Sequence, residues 1–463
     1  MKISDRARKN ITLAAMCIAT FIAILDTTVV NLAVPYIQTG LGVMVNILQW
    51  IIDAYTLIYA SFIMTGGALG DLFGRRRIFV YGIILFIIGS LMCALAPDTA
   101  WLIAGRIVAG FGAALELPVA LSILTVTFDE AERPRAISIW GGFSGLAMAV
   151  GPTAGGFLID QYGWRSIFYI VIPFGIAVLI LTYIGVKESS DPEKRKVDWL
   201  GQLFVVLFLG PMTFAFIEAP VSSWTSPLII GSLLVSVVSF ISFLVVEHRE
   251  PNGLVSIDVF KNRAFSAALI ITALITFGFY GLLFVFPIYS QKVRGLSATL
   301  TGVVLLPLSL TFFFISFFAG GLLKRLGPRL VITISMVIYG TGFFVVSFLD
   351  AESSYAIIFP GLFMIGLAAG LVYGPLMIVA VSSVAKERSG MSSGLLNVGR
   401  MVGATLGVAI LGLIFGSQGI QDTTAAKEFL SGMHNTLLIG GCACITGAIL
   451  ALVFIKREIT VEV

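Results

Sequence analysis

The chain has 463 residues, of which 58% are hydrophobic and only 12% charged, with a mean hydropathy of +1.02. A soluble globular domain carries about 25% charge, so a soluble enzyme is excluded and a polytopic membrane protein is implied. The formal net charge of +4, from 29 basic against 25 acidic side chains, is too small an excess to indicate nucleic acid as a partner. The partner that composition implies is the bilayer.

The N-terminal MKISDRARKN resembles the basic start of a signal peptide. The apolar run after it is too long for one, contains Asp26 and has no small-residue cleavage site, so a retained first span is expected. Spans of about 20 apolar residues cross a bilayer. Breaks at charges, Gly and Pro divide the chain into fourteen, over 11–34, 47–69, 78–96, 101–124, 137–159, 165–186, 199–217, 226–246, 265–289, 299–323, 329–349, 355–382, 390–416 and 434–455. The four cysteines, Cys17, Cys93, Cys442 and Cys444, fall in apolar runs with no CxxC pair or His beside them. They read as small buried residues and not as metal ligands or a disulfide framework.

With the N-terminus inside, 23 of the 29 basic residues fall in cytoplasmic segments, among them Lys2, Lys9, Arg133, Lys194 to Lys196, Lys386 and Arg388. Only Arg165, Lys292, Arg294 and Lys427 fall outside, and Arg106 and Arg400 lie within spans. This asymmetry fits the positive-inside rule and predicts a multi-pass plasma-membrane protein with both termini cytoplasmic. The linker KESSDPEKRKVD over 187–198 and the segment EHREPNG from Glu247 divide the spans six, two and six. The expected units are a six-helix bundle over 1–186, two extra helices over 187–262 and a second six-helix bundle over 263–463. GALGDLFGRRR after the second span is echoed by GGLLKRLGPRL after the tenth, and duplicated halves are a common plan of secondary transporters.

Asp26, in LDTTVVNLAVP of the first span, is the feature that most needs a purpose, because an acid inside a membrane span is costly and marks a functional site. The other ionisable residues read as lying within spans are Asp53, Arg106, Glu116 and Arg400. At 1.5 Å per residue, Asp26, Asp53 and Arg106 lie ~12, ~9 and ~8 Å from the outer ends of their spans and so are expected in one layer; Glu116 lies ~22 Å in. Asp26 is either a proton-coupling acid or a structural partner of Arg106, and Asp53 either joins them or is a solvated acid near the outer end. Glu116 is a cation contact, a second proton site or an acid satisfied by its neighbours. Arg106 either belongs to this layer or snorkels to a headgroup. Arg400 is expected in an interhelical hydrogen-bond network. Six aromatics, Trp50, Tyr55, Phe143, Tyr280, Phe284 and Tyr373, fall in spans expected to flank a cavity.

Two motifs accompany these residues. In Gly67 to Arg77, Gly70 and Gly74 permit a tight turn. Asp71 is placed to face a helix N-terminus, and Arg75 and Arg76 to anchor to lipid headgroups or to acids of neighbouring loops. In AVGPTAGGFL, Gly151, Pro152, Gly155 and Gly156, with Gly142 before them, allow close helix packing and a kink.

The loop resembles the signature of the major facilitator superfamily, with Leu72 where that pattern has a basic residue. Gly142 with GPTAGG resembles the fifth-helix motif of its antiporters. QWIIDAYTL, AGRIVAGFGAA, WRSIFYIVIPFG and SGLLNVGRMVGATLGVAILG resemble segments of the fourteen-span drug:proton antiporter family. The resemblance implies an all-α membrane protein of major facilitator fold, with two six-helix bundles around a central cavity opened alternately to either side and two inserted helices at the periphery. The function expected is proton-driven export of a lipophilic, cationic drug by a monomer. The alternatives are export of a metabolite such as a sugar or amino acid, and a receptor or lipid-handling protein on the same scaffold. No phosphate-binding loop is present in the sequence, since GALGDLFGRRR lacks a Gly-Lys-Ser/Thr ending. The proton gradient is the expected energy source, and no cofactor, metal or enzymatic activity is expected.

Overall fold

In a computed structural model, described over residues 4–190, 197–249, 257–384, 389–416 and 426–457, the chain is a bundle of long helices with no strand among those residues. The first half holds α1 (Asp5–Leu41), α2 (Val45–Phe73), α3 (Arg75–Ala94), α4 (Thr99–Thr127), α5 (Arg133–Tyr162), the short α6 (Ser166–Tyr169) and α7 (Val171–Gly185). A pair, α8 (Trp199–Ser222) and α9 (Pro227–Arg249), follows. The second half holds α10 (Arg263–Ile288), α11 (Ala298–Val304), α12 (Leu306–Ser347), α13 (Tyr355–Ser382), α14 (Ser389–Leu406), α15 (Gly412–Gly416) and α16 (Ala426–Phe454). Most of the two expected linkers, with Lys2, Lys386 and Arg388, lies outside the described residues.

The helices begin where short polar side chains take up their free N–H groups. Ser4 caps α1, Asp98 caps α4, Asp198 caps α8, Asn262 caps α10 and Ser354 caps α13. Three cysteines are buried as expected, but Cys442 is exposed on α16.

Thirteen helices among the described residues are long and apolar enough to cross a membrane. One of them, α12, has 42 residues and would extend ~63 Å, twice the hydrocarbon thickness. It breaks at Gly327, whose φ of 75° and ψ of 161° are not helical. The carbonyl of Leu308 abuts Gly366 of α13, while Gly342, far along the same helix, abuts Gly361 and Ile365. Both ends of α12 therefore lie at one level of α13, and the chain turns back at Gly327. Counted as two, α12 restores the fourteen crossings expected.

The inserted pair is fastened to the first half along α2. Gln202 of α8 donates to the Ser61 carbonyl at 3.0 Å and accepts from the Thr65 hydroxyl. Twenty-four Å along the same helix, by its 1.5 Å rise per residue, Glu218 accepts from the Trp50 indole at 2.7 Å. Helix α9 packs on α8, with the Ser236 hydroxyl donating to the Phe208 carbonyl at 2.8 Å, and leaves most of its own surface exposed.

The two halves meet through polar contacts on the side away from the termini. Asp160, at the end of α5, accepts from the Tyr36 hydroxyl at 2.7 Å, from the Ala298 and Thr299 amides at 3.1 and 2.8 Å, and from the Thr299 hydroxyl at 2.5 Å. Nearby, Gln291 donates to the Leu32 carbonyl at 3.0 Å and Lys292 donates to Gln38. On α2, Gln49 donates to the carbonyls of Val408 and Ala409 at 3.0 and 3.2 Å. This far side of the molecule is latched.

Candidate functional site: an intramembrane ion pair and two buried acids

Asp26 and Arg106 form an ion pair of 2.6 Å between α1 and α4, each side chain only 1% exposed. Arg106 also donates to the Ile51 carbonyl at 3.1 Å, and its guanidinium carbon lies 4.4 Å over the ring of Tyr55. Carboxylate, carbonyl and ring face together offset the loss of water that makes a buried cation costly. Arg106 thus belongs to this layer and does not snorkel. A cavity of about 30 Å³ lies against Asp26, walled by Leu25, Val29, Ala154, Gly155 and Ile167, large enough to hold a water.

Asp53 does not join the pair, and it is not solvated: it is 0% exposed. One oxygen accepts from the Thr56 hydroxyl at 3.3 Å, and the other is buried without a partner. Thr56 in turn accepts from the Thr405 hydroxyl of the second half at 3.1 Å, so a relay of two hydroxyls leads from α14 to this acid. Depth along a helix does not give a side chain's direction around it, and the hydrogen bond Asp53 accepts comes from Thr56 and not from Arg106.

Glu116 is also 0% exposed, and neither of its carboxyl oxygens has a hydrogen-bond partner. Its backbone sits where α3 and α4 nearly touch, since a Cβ on Gly82 would lie 2.9 Å from the Glu116 amide nitrogen. The neighbours therefore do not satisfy this acid.

Arg400 departs from expectation. No hydrogen bond reaches its guanidinium among the described residues; the contact it makes is with the ring of Tyr373, 5.9 Å away.

The six aromatics separate. Tyr55 and Phe284 are fully buried, Tyr55 beneath Arg106, and Trp50 is engaged with Glu218 and Phe214 of α8. These three do not line a cavity between the halves. Phe143 and Tyr373 are half-buried, and Tyr280 is 9% exposed.

The GALGDLFGRRR loop turns at Gly74, with φ of 109°, and Gly70 lets α2 close on Val119, while Gly67 sits loosely by Pro118. Asp71 pairs with Arg75 at 2.7 Å instead of facing a helix N-terminus. That place is taken by Glu188, which accepts from the Arg76 and Arg77 amides at the start of α3 at 3.0 and 3.2 Å. Arg76 stacks over Tyr183 at 5.3 Å. The loop thus locks α2, α3 and α7 of one half.

The GPTAGG motif is a packing surface with two faces. A Cβ on Gly151 or Gly155 would strike Thr28 or Val29 of α1, and one on Gly156 would lie 2.4 Å from the Ala298 carbonyl of the second half. The Pro152 carbonyl meets Gly302 of α11 in the same way, whereas Gly142 has nothing within 4 Å. The motif therefore seats α5 against α1 and α11 beside the Asp160 latch.

Sequence reasoning missed Asp160, Glu218 and Glu188. The first two stood one residue beyond spans drawn to end at 159 and 217. Glu188 stood in the linker, far in sequence from Arg76 and Arg77, whose amides it accepts from.

Comparison with known proteins accords with this architecture. A model of the Major Facilitator Superfamily matches residues 16–408. The chain is similar to the multidrug resistance protein Stp of Mycobacterium tuberculosis, 36% identical over 405 residues, covering 87% of this chain and 75% of that one. It is 33% identical over 411 residues to the drug efflux pump JefA of the same organism, covering 88% and 80%. It is 30% identical over 428 residues to the methylenomycin A resistance protein of Bacillus subtilis, covering 90% of each. Among solved structures, a bacterial homologue of the lysosomal transporter Spinster, titled as inward-facing and unoccupied, superposes with a TM-score of 0.68 at 18% identity over 97% of this chain and 98% of that one. A peptide-bound POT family transporter superposes with 0.72 at 15%, over 96% and 95%. The chain belongs to the Major Facilitator Superfamily.

Proposed function

We propose that this protein is a proton-coupled antiporter that exports lipophilic drugs by alternating access. The observation that carries the coupling is the coexistence, in one bundle, of a paired acid and a partnerless one. Asp26 has a cation at 2.6 Å, while Glu116 has no hydrogen bond at all. A carboxylate charge at Glu116 would be buried without compensation, so this acid is carried neutral in the state observed. Asp26 lies against the Arg106 guanidinium, and losing that contact would leave it as uncompensated as Glu116. One compensated and one uncompensated acid in a single resting state give the helices a means of exchanging a proton for cargo.

The latch on the side away from the termini supports an inward-facing resting state. The short basic loops on the termini-bearing side support its assignment to the cytoplasm and of the molecule to the plasma membrane. The multidrug-resistance and drug-efflux names of its relatives support drugs as the cargo. The gradient supplies the energy, a monomer is the working unit, and neither cofactor nor metal takes part. A cationic cargo requires a carboxylate uncovered in another state, because Asp26, Asp53 and Glu116 are all buried in this one.

The test is substrate-induced proton movement in proteoliposomes, comparing wild type with Asp26→Asn and Glu116→Gln. Each variant is expected to bind cargo while releasing fewer protons per molecule moved. Normal proton release from both variants would remove the coupling role from these acids, and exchange insensitive to pH would remove coupling altogether.

A further inference from the structure

Arg400 presents a problem that the coupling scheme leaves unsolved. It lies ~16 Å along α14 from Ser389, counted at 1.5 Å per residue, and so near the middle of the bilayer. A cation at that depth is expensive and is normally paired. Arg106 meets this requirement with a carboxylate, a carbonyl and a ring. Arg400 has a ring only. It is also not sealed, for it keeps partial exposure, as does Tyr373 beside it, whereas the three neighbouring membrane acids have next to none. Among the described residues, the charge in the membrane interior left without a counter-charge in this state is therefore positive.

The surroundings narrow the ligand. A guanidinium is a planar fork of donors whose geometry matches a carboxylate. Tyr373 on α13 faces it, and Tyr59 on α2, in the first half, lies in one cluster with Val398, Met401 and Val402 of α14. Each brings an aromatic face and a hydroxyl that donates or accepts. An acid on an aromatic or otherwise apolar body satisfies both parts.

We infer that Arg400, with Tyr373 and Tyr59, binds the carboxylate of a lipophilic organic acid, and that such anions form a cargo class of this transporter. This rests on the exporter reading for its consequence, but the binding itself does not require proton coupling. Because Tyr59 belongs to the first half and the other residues to the second, an occupied site bridges the two halves at mid-membrane.

The test is equilibrium binding to the full chain in nanodiscs, with no gradient present. Pyrenebutyrate is the acid, its methyl ester the neutral control and rhodamine 6G the cation, each followed by fluorescence anisotropy. The wild type is expected to prefer the acid over its ester by roughly ten- to a hundredfold, the worth of a charge-assisted hydrogen bond. Arg400→Gln is expected to erase that preference and leave the affinity for the ester unchanged; Arg400→Lys is expected to restore part of it. If Arg400→Gln is not recovered folded, Arg400→Met takes its place. Equal binding of acid and ester by the wild type, or an undiminished preference in the Gln or Met variant, overturns the site. Arg400-dependent acid binding without proton exchange in proteoliposomes would uphold the site while refuting the coupling.

Discussion

Asp160 holds Thr299 by two hydrogen bonds, from its amide at 2.8 Å and its hydroxyl at 2.5 Å, and so ties the last turn of α5 to the first turn of α11. The pair belongs to opposite halves, so the alternating access proposed above would require it to part. Asp160→Ala is expected to shift the population toward a far-side-open form by roughly tenfold or more, since a hydrogen bond to a charged group contributes about 1.5–3 kcal/mol. Spin labels placed across that gap read the change as a longer distance. An unaltered distance distribution would show that other contacts hold the gate.

The Asp26–Arg106 pair makes a second prediction. Removing one partner of a buried ion pair leaves an uncompensated charge and costs about 3–5 kcal/mol. Arg106→Gln is therefore expected to lower the melting temperature in detergent markedly, and the double change with Asp26→Asn to recover most of the loss without recovering transport. An Arg106→Gln variant as stable as wild type would mean that Asp26 is already neutral.

Glu116 is expected to behave in the opposite sense. Its unpartnered oxygens are a liability, and replacement by leucine removes a buried unsatisfied group worth about 1–3 kcal/mol. Glu116→Leu should melt at or above the wild-type temperature while proton release falls. Lower stability would point to a partner that forms only in another state.

The motif glycines are expected to differ among themselves. A Cβ on Gly156 meets the Ala298 carbonyl at 2.4 Å, whereas one on Gly142 meets nothing. Gly156→Ala is expected to cost about 1–3 kcal/mol by overpacking and to force α5 from α11. Gly142→Ala should stay within about 0.5 kcal/mol of wild type. Thermal melts of the two variants decide this, and equal effects would refute the packing account of the motif.

Hydropathy made most of the fold legible, because a bilayer imposes one length on every crossing. Even the fold-back at Gly327 was implicit in a charged break, KRLGPR, between two apolar runs. The pairing of Asp26 with Arg106 was legible from depth alone, since both sit near one level. What depth cannot supply is the angle around a helix, and this is why Asp53 was placed in a layer it turns away from. The same gap hid the fate of Trp50, which faces the inserted pair. Asp160 and Glu218 were hidden for a simpler reason: an acid itself signals the end of an apolar run, so a boundary drawn at the charge discards the residue that matters.

Helix α8 breaks the likeness of the two halves. It is hydrogen-bonded to α2 through Gln202 and Glu218, yet among the described residues its contact with α14 is apolar packing, where Leu209 and Met401 lie in one cluster. Bonded to one partner and greased against the other, it would travel with the first half while α14 slides along it in the alternating access proposed above. A symmetric pair of bundles would offer two equivalent seams to the lipid, and this molecule has a wall along one of them.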